Sequence, residues 1–149
     1  MIPKIPKALV DEHEELHAEL VRLTLTRGKV GEAARLVAAL LHPHFTKEEE
    51  FALPPLGVLA AVAEGRVTPE MRDVLVLTDK LRAELPQMLA EHKAVVRALR
   101  RLAAAARQEK KPGAARFAEA LKRHATSEEQ VLYPAAILVG ECLKARLGT

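Results

Sequence analysis

The chain has 149 residues, a single cysteine and a formal net charge of +3, from 23 basic and 20 acidic side chains. This length predicts one domain over residues 1–149 that buries a core without disulfides, and the lone cysteine excludes a disulfide framework or a cysteine zinc site. The small net charge argues against a nucleic-acid surface, and no apolar run reaches the roughly 18 residues of a membrane span or forms a signal peptide. We therefore expect a cytoplasmic protein with no nucleic-acid and no membrane partner.

Four long helices are predicted, because strong helix formers dominate the chain and apolar residues recur at helical spacing. The first extends from near Pro6 to near Gly28, and the second from near Val30 toward Ala52. Pro43 lies inside the second helix, where it removes a hydrogen bond and crowds the preceding turn. We expect a kink at Pro43, or a break after which the helix starts again.

The rest of the chain is predicted to hold two further long helices. A short extra helix over residues 56–64 comes first, followed by a third helix over most of residues 69–109 and a fourth over residues 114–146. The inward stripe of the fourth helix continues to Val131 and Ala135. The short turns after the first and third helices pair their neighbours antiparallel, so the fold class is all-α, an up-down antiparallel four-helix bundle.

The two halves of the chain repeat one pattern of histidine and glutamate. Each copy has a Glu-His pair in its first helix and a His-x-Thr-x-Glu-Glu sequence in its second, with a proline ten residues after that second histidine. The chain is therefore predicted to be two copies of one helix hairpin. The repeated histidines, and the first glutamate of each longer motif, are His13, His44 and Glu48 in one copy and His92, His124 and Glu128 in the other.

These six residues fall on the inward faces of their helices, and the spacing of four directs His44 and Glu48 into one volume. Burial without partners would cost each of them of the order of several kcal/mol. A metal ion offsets that cost, because imidazoles and carboxylates become its ligands. Mutual His–Glu hydrogen bonding is the alternative, and the duplicated spacing favours the metal site. We expect Glu49 and Glu129 to face solvent or to steady a ligand histidine.

With this motif, the sequence resembles the hemerythrin family, and in particular its bacterial HHE domains, over about residues 8–143. The resemblance implies a non-haem di-iron centre inside the bundle, with two bridging carboxylates and an oxo or hydroxo bridge. Zinc, manganese or copper are compatible with His and Glu donors in principle. Carried onto the matching positions, the resemblance implies the ligands His13, His44, Glu48, His92, His124 and Glu128.

His17 is the ambiguous position. It lies one turn after His13, whereas its partner in the repeat is Val96. Oxygen-carrying members of the family have a second histidine of this kind on the third helix, and this chain departs from them by placing it on the first. The spacing of four favours His17 as a ligand over a residue that lines the pocket. For two six-coordinate ions that share an oxo bridge and both carboxylates, one coordination position stays open when His17 is bound, and at least two stay open when it is not. His42 falls off the inward stripe and is not included.

The resemblance implies a protein that binds a small ligand, such as O2, NO or peroxide, as a carrier, a sensor or a redox or repair component. One open position suits the capture of O2 or NO, and two favour redox or peroxide chemistry. The alternative is a helical interaction module whose metal is purely structural or absent. The sequence predicts neither the oligomeric state nor whether the protein is an enzyme.

Overall fold

The regular structure of the chain is helical throughout residues 1–148, the part that the computed structural model describes, and these residues form no strand. Long helices make up the four rods of the predicted up-down bundle, with one short helix between its halves. The helices are α1 (Lys7–Thr24), α2 (Gly28–Lys47), α3 (Leu59–Ala63), α4 (Arg72–Gln108), α5 (Pro112–Ser127) and α6 (Tyr133–Leu147). α4 packs against α2, α5 and α6, and α1 packs against α2 and α5. No helix within residues 1–148 is both long and apolar enough to span a bilayer.

The turn between α1 and α2 lies at Gly28, which opens α2 with a φ of +82°. A Cβ at this position would collide with the carboxylate of Glu109, whose Oε1 accepts a hydrogen bond of 2.8 Å from the backbone N–H of Val30. Glycine therefore lets the two hairpin turns approach each other at this end of the bundle. α2 continues through Pro43, so the predicted break does not occur.

Two π-helical segments, Glu48–Ala52 and Glu128–Leu132, lie at equivalent places in the repeat. The first segment follows α2 in the second rod of the bundle, and the second segment joins α5 to α6 in the fourth rod. The backbone N–H of Leu53 bonds the carbonyl of Glu48, five residues earlier, at 2.8 Å. Each segment ends two residues before a proline, Pro54 or Pro134, which offers no N–H and would crowd the carbonyl four residues earlier. A wider π turn accommodates that ring.

The π segment of the fourth rod changes which of its residues are buried. Val131 is 56% exposed, whereas Tyr133 is fully buried. The prediction that Val131 faces inward is wrong because it assumed 3.6 residues per turn through residues 128–132, where the π turn takes more residues. The buried face therefore resumes five residues after Glu128 instead of three.

Apolar clusters lie on both sides of a buried polar layer. Toward the hairpin turns, the first cluster includes Phe45, Leu99 and Leu121. On the other side, the second cluster includes Phe51 and Tyr133. Along three of the four rods, a histidine lies between the residues that belong to these two clusters, and in the second rod His44 lies next to Phe45, the last residue of the first cluster on that rod. The sequence thus places its buried histidines and glutamates at one level of the bundle, enclosed by apolar packing.

Candidate metal centre

Six of the seven predicted ligands meet in this layer, and each is at most 6% exposed. Their donor atoms form two groups. The first position is surrounded by His44, Glu48, His92 and Glu128, and the second position by His13, His124 and Glu128. Within each group the donor atoms all lie within 4.8 Å of one another. Glu128 belongs to both, so the two positions are neighbours that share a carboxylate.

Each oxygen of Glu128 faces a different position. Its Oε1 lies 3.3 Å from Nε2 of His92, at the first position. Its Oε2 lies 3.1 Å from Nε2 of His124 and 3.6 Å from Nε2 of His13, at the second. The Oε1 of Glu48 lies 3.5 Å from Nε2 of His44 and 3.9 Å from Nε2 of His13. The two oxygens of Glu128 are therefore placed like those of a carboxylate that bridges two cations.

The donor atoms satisfy one another poorly. Among residues 1–148, five buried side-chain atoms have no hydrogen-bond partner: both ring nitrogens of His13, Oε1 of Glu48, Nε2 of His124 and Oε2 of Glu128. A buried polar atom left in this state costs about 1–3 kcal/mol, and folded proteins hold few of them. Metal ions among these atoms would give a partner to four of them, because the single imidazole of His13 binds a metal centre through one of its two nitrogens. Imidazole nitrogen and carboxylate oxygen are donors that suit divalent transition metals, so the residues fit a metal centre.

Glutamates outside the layer fix the rings of three histidines. The bonded pairs are Nδ1 of His44 with Glu91 at 2.8 Å, Nδ1 of His92 with Glu129 at 2.9 Å, and Nδ1 of His124 with Glu12 at 2.5 Å. With its Nδ1–H donated to a carboxylate, each neutral ring turns the lone pair of Nε2 toward the centre. Glu129 thus takes one of its two predicted roles, that of steadying a histidine. Glu49 lies 3.7 Å from Nδ1 of His13, beyond a hydrogen bond.

Sequence reasoning did not assign roles to Glu12 and Glu91, although each immediately precedes a repeated histidine. The reason is that neither supports the histidine beside it. Glu12 in the first copy of the hairpin bonds His124 in the second, and Glu91 in the second copy bonds His44 in the first. The repeated Glu-His pair was the available signal, and the crossed pairing appears only once the two hairpins pack together.

The carboxyl groups differ in their affinity for protons. Burial, together with the nearby Glu128 carboxylate, raises the pKa of Glu48 well above its usual range. Burial would raise the pKa of Glu128 as well, but its polar contacts with Glu48 and the facing histidines outweigh burial and lower it well below that range. Burial would also raise the pKa of Glu91, but hydrogen bonds from His44, Lys47 and Gln87 lower it to about 2. In the metal-free protein, Glu48 therefore binds a proton more tightly than Glu128 and Glu91 do.

The pKa values of the histidines are shifted in both directions. Burial lowers the pKa of His44, since the raising effect of the Glu91 hydrogen bond is smaller. Burial would lower the pKa of His92 and of His124 too, but contacts with Glu128 and with their outer carboxylates outweigh it and raise both. Metal binding must therefore displace protons from part of this set.

Tyr133 is a member of the site that the sequence analysis missed. Its hydroxyl donates a hydrogen bond of 2.8 Å to Oε2 of Glu48 and lies 3.2 Å from Nε2 of both His44 and His92. The equivalent residue in the first copy is Leu53, so the repeat offered no matching pattern. The available signal was a polar residue just before Pro134, hidden by the altered register of the π segment.

His17 does not join the six buried residues. Its side chain is exposed and lies outside both groups of donor atoms, so its assignment as a ligand stays a prediction. Four residues of helix turn a side chain about 40° past its predecessor, which is enough to move His17 from the interior to the edge. There it lines a cleft of about 300 Å³ together with His13, His42, Phe45 and Glu49. His13 lines this cleft and also belongs to the second position, so the cleft leads to that position.

The comparisons with known proteins agree with this geometry. Comparison with the curated proteins and with the solved structures gave no significant match. The family model of the hemerythrin HHE cation-binding domain matches residues 4–136, which is nearly the whole chain. The buried His and Glu layer lies within the matched residues and supplies donors that can bind a cation. The chain therefore belongs to the hemerythrin family of HHE cation-binding domains.

Proposed function

We propose that the protein holds two non-haem iron ions and binds a small ligand, such as O2, NO or peroxide, as a carrier, a sensor or a redox component. The observation that carries the proposal is the carboxylate of Glu128, whose two oxygens face two separate groups of buried donors. One ion would leave the other group unsatisfied. A pair of ions would give a partner to four of the five orphaned atoms, all but one ring nitrogen of His13.

The protein's own residues would hold the ions and control their surroundings. His44, His92, Glu48 and Glu128 supply the first position, and His13 and His124 complete the second around Glu128. When bound, iron supplies redox capacity and an open site for a small ligand. The Phe45 ring stacks on His13 with ring centroids 4.3 Å apart, which fixes that imidazole and limits the access of water.

A small ligand can approach through the cleft between α1 and α2. Its walls include His13, which belongs to the second position, and the exposed rings of His17 and His42. A neighbouring cavity of about 200 Å³, lined by residues such as Leu20, Leu41 and Phe45, extends along the same groove. The cleft admits diatomic molecules and peroxide, and its apolar extension suits uncharged ligands such as O2 and NO.

The test is to load the metal-free protein with ferrous iron without oxygen, measure the iron bound per chain, and record visible spectra. We expect two ions per chain and a visible absorption in air, because the polypeptide has no visible chromophore of its own. Separate additions of O2, NO and peroxide should then change the spectrum, and the pattern separates a carrier from a redox protein. An iron-replete sample that stays colourless in air would contradict the proposal and favour a structural metal.

A further inference from the structure

We infer that the phenol oxygen of Tyr133 is itself a ligand of the ion at the first position. This inference rests on the proposed function, because it requires that the first position bind a metal. It concerns a side chain that neither the repeat nor the motif includes. The observation is the placement of the hydroxyl, which lies at 2.8–3.2 Å from three donor atoms of one group.

These distances are those between neighbouring ligands of one ion. Two donors at right angles, each about 2.1 Å from a transition metal, lie about 3.0 Å apart. The hydroxyl oxygen lies 2.8 Å from Oε2 of Glu48 and 3.2 Å from Nε2 of His44 and of His92. The oxygen therefore already occupies a ligand's place relative to three other ligands of the first position.

When the rings of His44 and His92 are neutral, hydrogen bonding alone does not account for these contacts. The Nδ1–H of each imidazole is directed at an outer carboxylate, so Nε2 of the neutral rings of His44 and His92 is an acceptor. Glu48 supplies a third acceptor beside the same oxygen. A phenol has one proton and can satisfy one of the three. A cation among them satisfies all three and the phenol oxygen together.

The packing of Tyr133 holds its oxygen in place. The residue is fully buried, belongs to the second apolar cluster, and its ring centroid lies 5.6 Å from that of His92. The five-residue step of the π segment aligns it with Glu128 on the inner face of the rod. Iron is known to accept a tyrosine oxygen as a ligand in other proteins.

Ligation by Tyr133 would make the two positions unequal. The second position has no counterpart, because Leu53 stands at the equivalent place in the repeat. In the coordination count of the two ions, Tyr133 supplies the donor that a fifth histidine would supply, and one position stays open. That opening belongs to the ion held by His13, at the cleft. The small ligand would therefore bind at the second position.

The binding step is a proton exchange. As the oxygen–metal bond forms, the O–H bond of Tyr133 breaks and its proton leaves to water. No electron is transferred, so the step is the same for a metal without redox chemistry. Zn²⁺ is therefore a suitable probe, since it takes nitrogen and oxygen donors and absorbs no visible light.

Tyr133 can be observed by itself, because the chain has one tyrosine and no tryptophan. The metal-free protein is titrated with Zn²⁺ near neutral pH, well below the pKa of about 10 of a free phenol. We expect the ultraviolet difference spectrum of one ionised phenol per chain as the first position fills. Binding of two Zn²⁺ ions with no such signal would overturn the inference and leave the metal centre itself intact.

Two matched variants locate the signal. His92→Ala removes a donor of the first position and His124→Ala one of the second, and both keep Tyr133. We expect the phenolate signal to survive in His124→Ala and to be lost in His92→Ala. The opposite pattern would overturn the inference. The wild-type titration decides the question independently if either variant fails to fold by circular dichroism.

Ferric iron gives a second readout. We expect resonance Raman bands of the iron-loaded protein to shift when its tyrosine is ring-deuterated, and to disappear in Tyr133→Phe, which keeps the ring and its packing. Bound iron with no isotope-sensitive band would overturn the inference alone. A chain that binds neither Zn²⁺ nor iron would remove the inference and the proposed function together.

Discussion

The carboxylate of Glu128 turns one oxygen toward each position of the proposed centre, whereas Glu48 turns a single oxygen toward His44 of the first position and lies farther, at 3.9 Å, from His13 of the second. This difference gives the two glutamates separate predictions. Glu128→Ala should reduce bound iron from two ions per chain toward none, because each position loses an oxygen. Glu48→Ala should leave about one, held by His13, His124 and Glu128. Elemental analysis of the iron-loaded variants measures both values.

His42→Ala is the control for these variants, since His42 is exposed in the cleft and belongs to neither group. It should bind as much iron as the wild type. Two ions and an unaltered spectrum in Glu128→Ala would show that the assigned ligands are wrong. If His17→Ala binds as much iron per chain as the wild type, His17 is not a ligand. Only its spacing of four residues from His13 suggested that role.

Glu91 is predicted to influence the first position without touching the ion. It accepts the Nδ1–H of His44 and a hydrogen bond of 2.8 Å from Lys47. Glu91→Gln keeps the shape but loses the charge, and losses of this kind typically weaken metal binding about 10- to 100-fold. Competition with a chelator measures the change. Glu84→Gln is the control, because Glu84 also faces Lys47 but bonds no histidine; an equal effect of both would contradict the role of Glu91.

At the scale of the helical elements, the prediction from sequence fails at the π segments, where the register of the buried residues changes. The repeat identified six inward residues because each motif occurs twice, and the helix bounds followed from the hairpin turns. The sequence analysis missed Tyr133 because α-helical spacing predicts that Val131, not Tyr133, is the next buried residue after Glu128. The wider π turn that brings Tyr133 inward depends on local backbone geometry. The proline that follows each segment is the sequence signal for this wider turn.

This register is testable with two valines of the fourth rod. Val131 is 56% exposed and Val139 is 1% exposed. Val131→Lys should change the free energy of unfolding by no more than about 0.5 kcal/mol, as is usual for exposed sites. Val139→Lys buries an unpaired charge and should cost about 3 kcal/mol or more. Urea denaturation of the metal-free variants compares them. Equal, large losses would show that the fourth rod continues inward at Val131.

For the molecule as a whole, we expect the polar layer to make the stability of the bundle depend on metal binding. The metal-free protein has five unpartnered buried atoms in the middle of its core. A metal that binds the folded chain alone, at a free concentration of 100 times its Kd, stabilises that chain by about 2.7 kcal/mol. For a domain of this size the melting temperature should rise by about 5–10 °C. Differential scanning calorimetry with and without a chelator measures the shift; no shift in a metal-loaded sample would contradict a central role of the metal.

The size of that shift should depend on pH in a definite direction. The raised pKa values of His92 and His124 mean that the metal-free fold holds protons that the unfolded chain releases near pH 6.5. Their contribution to stability is therefore fully present below pH 6.5 and is lost as the pH rises through the folded-state values. Metal binding has the opposite dependence, because these same rings must be neutral to bind. The melting temperature of the metal-loaded protein should thus exceed that of the metal-free protein by more above pH 6.5 than below it. Glu128→Ala, which lacks the shared ligand, should show no metal-dependent difference at either pH; a wild-type difference that narrows as the pH rises would contradict the assignment of His92 and His124 as ligands.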